Sequence, residues 1–428
     1  MRNCAMSALA VGEGTGYTRN TLGVFMRKMI WFLFLLCAAA LPWESACRAA
    51  EAPPVITVVK KGAEKNTVSL SRLNASGPYG KLFVRTLTRD LELSGWFKVA
   101  SSGAVQVQGT VADAGSGVQS ACRVTWPGKA FNWNRVSMGQ AEVRRQAHQL
   151  ADEMVRLITG EIGIAQSRIV FVNRRGRNNA DLYLCDADGQ NLMQITHDNV
   201  AAVGPRWAPN SQDIYYTSFL KGYPAVYRIG VGRGERKTLA AFKGLNTGAA
   251  ISPDGSRAAI ILSYQGNPEL YVLHLTSGQL TRLTQTVHAA EASPCWSPDG
   301  RQIVYVSDPA KTPQLYLVDP LSRQSRRLTY KGSENVNPDW SAKGKIVYAT
   351  RRGGGGYQIA VLDPRQGEAS CELLTQPGGY EHPSWAPNSR HVVCSNRSTL
   401  YILDTLGDPA VRLINLAGNW MSPDWSSR

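Results

Sequence analysis

Asp186-Ala187-Asp188-Gly189 sets two carboxylates one residue apart just ahead of a glycine, the way a calcium-binding loop opens. The later oxygen ligands and the closing glutamate of such a loop do not follow, so these four residues read as a hairpin turn. Other chemistries find less. The chain has no Gly-x-Ser-x-Gly nucleophile elbow and no Gly-x-x-x-x-Gly-Lys-[Ser/Thr] phosphate loop, and none of its six histidines stands in a His-Glu-x-x-His pattern. Gly230, Gly232 and Gly234 alternate inside a hairpin turn, and Gly353 to Gly356 lie in a loop between strands. His382, just before Pro383, has two readings: a loop residue satisfied by its neighbours, or a contact for something docked above it. No catalytic residue, metal site or cofactor is expected.

Composition narrows the setting. Residues 26–49 run from a short basic start (Arg27-Lys28) through the apolar stretch MIWFLFLLCAAA to small residues around Ala46–Ala50, the order of a secretory signal peptide. The stretch is too short for a stable membrane span. Residues 1–25 fit no part of a signal and read as lying ahead of the working start. Cleavage is expected near Ala49, and Glu44 argues against a lipidated Cys47. The mature chain is therefore read as exported, soluble and without a membrane span. It keeps five of the eight cysteines, an odd number without CxxC spacing, which reads as buried small hydrophobes rather than a disulfide framework. The formal charge is +15, and removing the leader's five basic and two acidic residues leaves +12, spread roughly in proportion to length. With no basic stripe, nucleic acid is set aside as a partner.

The second half of the chain repeats itself. Trp207, Ile251, Trp296, Trp340, Trp385 and Trp425 are anchors spaced 44, 45, 44, 45 and 40 residues apart, most inside a Pro-x-Trp followed by a Ser-Pro-Asp-Gly-like turn. After each anchor but the last come two alternating strands and a third ending in Leu-Thr or a variant. Proline fixes one backbone angle of the turn and glycine accepts a positive one. A recurring tryptophan reads as a packing wedge between units that cannot bury their own apolar faces. Four short strands in roughly 40–50 residues make a propeller blade. Six hairpins are present, the first (from Arg168) lacks a tryptophan motif, and the chain ends with a spare one at Pro423-Asp424-Trp425. The expectation is a six-bladed β-propeller over residues 163–428, closed by the C-terminal strand.

Residues 50–162 read as a small α/β domain, making the whole an α+β multidomain chain behind a leader at 1–49. Strands are expected at Val55–Val59, Thr67–Leu73, Trp96–Ala100, Ala104–Val111, Ala121–Trp126 and Phe131–Val136. One helix should open at Pro78 and stop at Gly95. A second should open on a capping box in which Ser137 and Gln140 satisfy each other's backbone donors, bury Val143, Ala147, Leu150, Ala151, Met154 and Ile158, and stop at Gly160.

The exported leader, the small α/β domain and six Pro-x-Trp blades ending at a bare Pro-Asp-Trp resemble the TolB family of the Tol–Pal envelope system. The resemblance runs through TLTRDLELSGWFKV, AVQVQGTV and HQLADEMVRLITGEIGIAQSRIVFV in the first domain, and DADGQNLMQIT, NPELYVLHLTSGQLTRLT and PCWSPDGRQIVYVSD in the propeller. It implies a monomeric, non-enzymatic periplasmic adaptor of Gram-negative bacteria that supports outer-membrane integrity and constriction during division. Such a protein binds the lipoprotein Pal over the propeller mouth and TolA through its mature N-terminal segment, the two sites being coupled, with other outer-membrane proteins as further partners. By position, the TolA segment falls within Ala50–Lys60 (Glu51, Val55, Ile56, Val58, Lys60). The Pal-facing residues precede the anchors: Asn246, Ser293, Asn337, Glu381 and His382. Ala249-Ala250-Ile251 departs from the Pro-x-Trp pattern, the first domain is short for the family, and Ala52-Pro53-Pro54 matches no family pattern. The alternative is a propeller that gates or belongs to a prolyl-oligopeptidase-like hydrolase.

Overall fold

The computed structural model describes residues 64–427. The leader, the expected TolA segment and the strand expected over Val55–Val59 lie outside the described residues.

The first domain is a five-stranded sheet with two helices on it. Its strands are β1 (Asn66–Ala75), β2 (Phe97–Ala100), β3 (Val105–Ala114), β4 (Gly117–Trp126) and β5 (Lys129–Met138), and its helices α1 (Gly77–Leu93) and α2 (Gln140–Thr159). The order across the sheet is β2-β1-β3-β4-β5, with β1 parallel to both neighbours and the rest antiparallel. Phe83, Leu87 and Leu91 of α1 and Val143, Leu150 and Met154 of α2 meet Val68, Val107, Val111 and Val124 of the sheet in one core. The first turn of α1 is capped from outside the helix: the Asp113 carboxylate accepts the Tyr79 and Gly80 amides, both at 3.0 Å.

The capping box expected for α2 does not form. Ser137 is still in the β5 ladder opposite Val118, its hydroxyl has no hydrogen-bond partner, and the N-cap is Gly139 with φ 81° and no side-chain cap. A serine held in a strand cannot also fold back over the helix start, and glycine makes the turn because only it reaches that backbone angle freely. The other end matches expectation: Gly160 stops α2 in the left-handed region.

The propeller has six four-stranded sheets. Blade 1 takes its inner strand, Trp420–Trp425, from the C-terminus and pairs it antiparallel with Arg168–Arg174. The inner strands of blades 2 to 6 are Ala202–Trp207, Asn246–Ile251, Glu291–Trp296, Glu334–Trp340 and Tyr380–Trp385. Each of the six shifts register against its neighbour just before the anchor. There the backbone turns left-handed at Gly204, Gly248, Ser293, Asn337, His382 and Ser422, five of them followed by proline. These are β-bulges, where one residue leaves the ladder and proline's missing donor costs nothing. Of the five cysteines, Cys122, Cys185 and Cys394 are buried, Cys295 and Cys371 are half-buried, and all are free, as expected of small apolar side chains.

The ladders also fix the two faces of the ring. In blade 2, Ile214 stands opposite both Trp207 and Ile229, so the anchor end of the inner strand and the end of the third strand lie together. The first domain attaches to this anchor face. Arg144 of α2 pairs with Asp186 at 3.1 Å and Asp188 at 2.8 Å. His148 pairs with Asp90 at 2.7 Å and lies 3.5 Å from Asp186. Burial works to lower the His148 imidazole, but hydrogen bonds to Asp186 and Asp90 and the charge of Asp90 and Asp188 carry it up to about 10. The Asp-x-Asp-Gly turn thus clasps an arginine. His148, Asp186 and Asp188 have their ligand atoms within 4.8 Å of one another, but the Arg144 guanidinium donates to both carboxylates. Around the ring, Lys343 meets Glu161 at 2.9 Å, and Arg390 donates to the Gly95 carbonyl at 3.1 Å with its guanidinium 4.3 Å over the Trp96 ring.

Arg144→Met leaves two carboxylates and a charged imidazole without their shared cation, a loss of about 3 kcal/mol for a buried network. The expected result is a melting temperature lowered by several degrees and faster proteolysis in the 161–167 linker. An unchanged melt and unchanged cleavage would show that the clasp does not hold the domains together.

Candidate functional site

With the anchor face partly covered by the first domain, the opposite mouth is the open end of the propeller. It is built from the beginnings of the inner strands and the loops leading into them. The first residue of each inner strand is buried or nearly so, and Asn246 is 0% exposed. Its side-chain amide donates to the carbonyls of Pro224, Phe242 and Gly244 while its oxygen accepts the Phe242 amide. This is a correction to its placement among surface contacts: every polar atom of Asn246 is used in stapling a loop, and it has no surface to offer. Asn335, two residues before Asn337, plays a similar part in blade 5, its amide donating to Gln314 and the Lys331 carbonyl.

Ser293, Asn337 and His382 are the bulge residues of three blades, each half-buried and left-handed. Glu381 precedes His382 and is also half-buried. Burial, then the charge of Glu334, raises the Glu381 carboxyl to about 7. His382 is pushed down to about 4 by burial and by the Arg206 charge, so its ring is neutral at physiological pH, and its Nδ1 has no hydrogen-bond partner. The structure therefore gathers four of the five expected mouth residues on one side of the ring.

Two features, one of this mouth and one of the channel behind it, were not read from the sequence. The first is an apolar rim: Leu220, Tyr223, Phe242, Val287, Tyr330 and Leu416, all on loops of this face, are exposed, Val287 by 80% and Tyr330 by 64%. Exposed cations share this face: Lys221, Lys243 and Lys331 on the same loops, and Lys311 and Arg397 on neighbouring ones. The second is a strap inside the channel. Arg206 pairs with Asp424 at 2.9 Å and Asp339 at 3.2 Å, joining blades 2, 1 and 5. Asp424 also accepts the Trp207 amide, and Asp339 the Trp385 amide, each at 2.7 Å. Burial raises the Asp424 carboxyl to about 6 against the pull of Arg206, whose own pKa rises in turn. The signal was present in the sequence: the middle residue of Pro-x-Trp is Arg in one repeat and Asp in two others, so opposite charges meet at one register.

Glu291, the first inner-strand residue of blade 4, is 0% exposed. Burial, aided by the nearby charges of Glu269 and Asp308, lifts it to about 8 against the opposing hydroxyls of Ser307 and Thr286. The folded chain therefore holds a proton there that the unfolded chain has lost, and stability falls as pH rises between the unfolded and folded values. Glu291→Gln should melt with wild type near pH 5 and several degrees above it near pH 9. Equal melting at both pH values would show that Glu291 does not hold its proton.

The TolB beta propeller domain profile matches residues 155–428. The Tol-Pal system protein TolB of Bordetella parapertussis is 29% identical over 450 residues, covering 87% of this chain and 98% of that protein. The Bordetella pertussis protein of the same name is 29% identical over 334 residues, with 70% and 73% covered. Among solved structures, TolB from Acinetobacter baumannii superimposes with a TM-score of 0.74 at 25% identity, covering 87% of this chain and 99% of that one. These likenesses span the α/β domain as well as the six blades, and the chain belongs to the TolB β-propeller family of the Tol–Pal system.

Proposed function

We propose that this protein is a periplasmic, non-enzymatic adaptor that docks Pal on the open mouth of its propeller and TolA through residues 50–60. The observation that carries the Pal half is the rim: six exposed apolar side chains around one opening, interleaved with cations, on the face away from the first domain. Contiguous exposed apolar surface with a polar surround marks protein docking. Glu381, His382, Ser293 and Asn337, each half-buried, stand inside that rim and supply polar contacts. The TolA half rests on the family likeness, and an extended segment adding to a partner's surface is a mode that suits it. Export to the periplasm fits the leader read at residues 26–49. Among the described residues, no helix is long and apolar enough to cross a membrane.

Calorimetric titration of the mature chain with the periplasmic domain of Pal from the same organism tests the reading. One-to-one binding is expected, weakened about tenfold (~1.4 kcal/mol) by Tyr330→Ser or His382→Asn. Asparagine is chosen because it tolerates the left-handed backbone that alanine would strain. A chain lacking residues 50–60 should keep Pal and lose TolA. Binding that ignores both mouth variants would move the site, and no binding at all would remove the Pal assignment.

A further inference from the structure

A second site, apart from the mouth, follows from the one repeat that lacks its tryptophan. At two other junctions the anchor ring packs toward the preceding blade: the Arg168 guanidinium lies 5.1 Å over Trp207, the Arg257 guanidinium lies 4.7 Å over Trp296, and Trp296 Nε1 donates to the Ala250 carbonyl at 3.0 Å. Between blades 2 and 3 both halves of that arrangement are missing. Ile251 replaces the ring, and Asp213 stands where Arg168 and Arg257 begin the second strand of their blades. Asp213 turns aside to Arg228, 3.0 Å away.

What remains is a groove of about 670 Å³ with Tyr215, Leu239, Ile251 and Leu275 among its lining and Arg228 and Asp213 at its polar side. The corresponding groove between blades 5 and 6 keeps its tryptophan, Trp385, and measures about 260 Å³. It is roofed by another domain's aromatic residue, Trp96, on which Arg390 stacks. The fold thus shows at one junction how such a groove is covered, and leaves the wider one uncovered on the same face, away from the first domain's contacts with blades 1, 5 and 6.

We propose that the groove between blades 2 and 3 is a docking site for an indole side chain carried by a partner polypeptide. The ring fits because five of six junctions of this chain are built around one. Arg228, whose side chain is 44% exposed, is the cation available to lie on it, as Arg390 lies on Trp96. Asp213 is an acceptor for the indole N–H. The apolar walls supply the burial that drives entry.

The probe is N-acetyl-5-fluorotryptophan amide, followed by fluorine NMR with the full mature chain. A saturable shift is expected with wild type. It should be at least tenfold weaker with Ile251→Trp, which fills the groove from within and should raise the melting temperature. Leu275→Asp, in a half-buried turn position that a charge can occupy without unfolding a blade, should weaken binding to a similar degree and decides the matter if Ile251→Trp does not fold. N-acetyl-leucine amide should bind at least tenfold more weakly than the indole probe. No saturable shift with wild type, undiminished binding to either folded variant, or equal binding of the leucine compound would overturn the proposal.

Discussion

Closure of the ring by the last strand is the constraint on which the rest depends. Trp420–Trp425 pairs with Arg168–Arg174 across the whole length of the propeller sequence. The Arg168 amide donates to Ser426 Oγ at 2.8 Å, and the Ser426 amide donates back to the Arg168 carbonyl at 2.8 Å. Asp424 ties the same strand to blade 2 through the Trp207 amide and to the channel strap through Arg206. A six-fold ring assembled from local hairpins is stable only when its two ends meet, because an open ring leaves two blade faces unpaired. Without closure there is no channel, no strap and no mouth.

Closure also divides labour between the faces. On the anchor face, tryptophans, turn residues and the Asp186-Asp188 clasp build the surface that receives the α/β domain, mainly through charged groups shielded from water. On the opposite face the inner strands begin, bulge and release one residue each from the ladder. Apolar side chains on the connecting loops are left uncovered there. A rigid scaffold with one end partly occupied and the other open suits the adaptor role proposed above.

Much of this was legible in the sequence, and for physical reasons. Turn chemistry and period-two strands are local, so the anchors gave the blade count, and the unmatched first hairpin and spare last motif gave the closure. The helix stripes of the first domain were likewise read from spacing. The capping box failed because Ser137 belongs to the β5 ladder, which the local pattern does not reveal. Asn246 was misplaced because alignment by position cannot distinguish a side chain aimed at a loop carbonyl from one aimed at solvent. The Arg144 clasp joins residues 42 and 44 apart across two domains and leaves no local trace, whereas the Arg206 strap joins residues 133 and 218 apart and shows only when the repeats are laid over one another. The apolar rim was hidden for a similar reason: its members are scattered over separate loops that come to one face only in the ring.

The central claim, that the open mouth is the docking surface for Pal, is tested most directly by hydrogen–deuterium exchange of the mature chain with and without the Pal periplasmic domain. The account predicts slowed exchange in loops 285–293, 329–337 and 378–382, with the anchor-face turns 298–301 and 342–345 unchanged. Protection confined to the anchor-face turns, with the mouth loops exchanging as before, would contradict it.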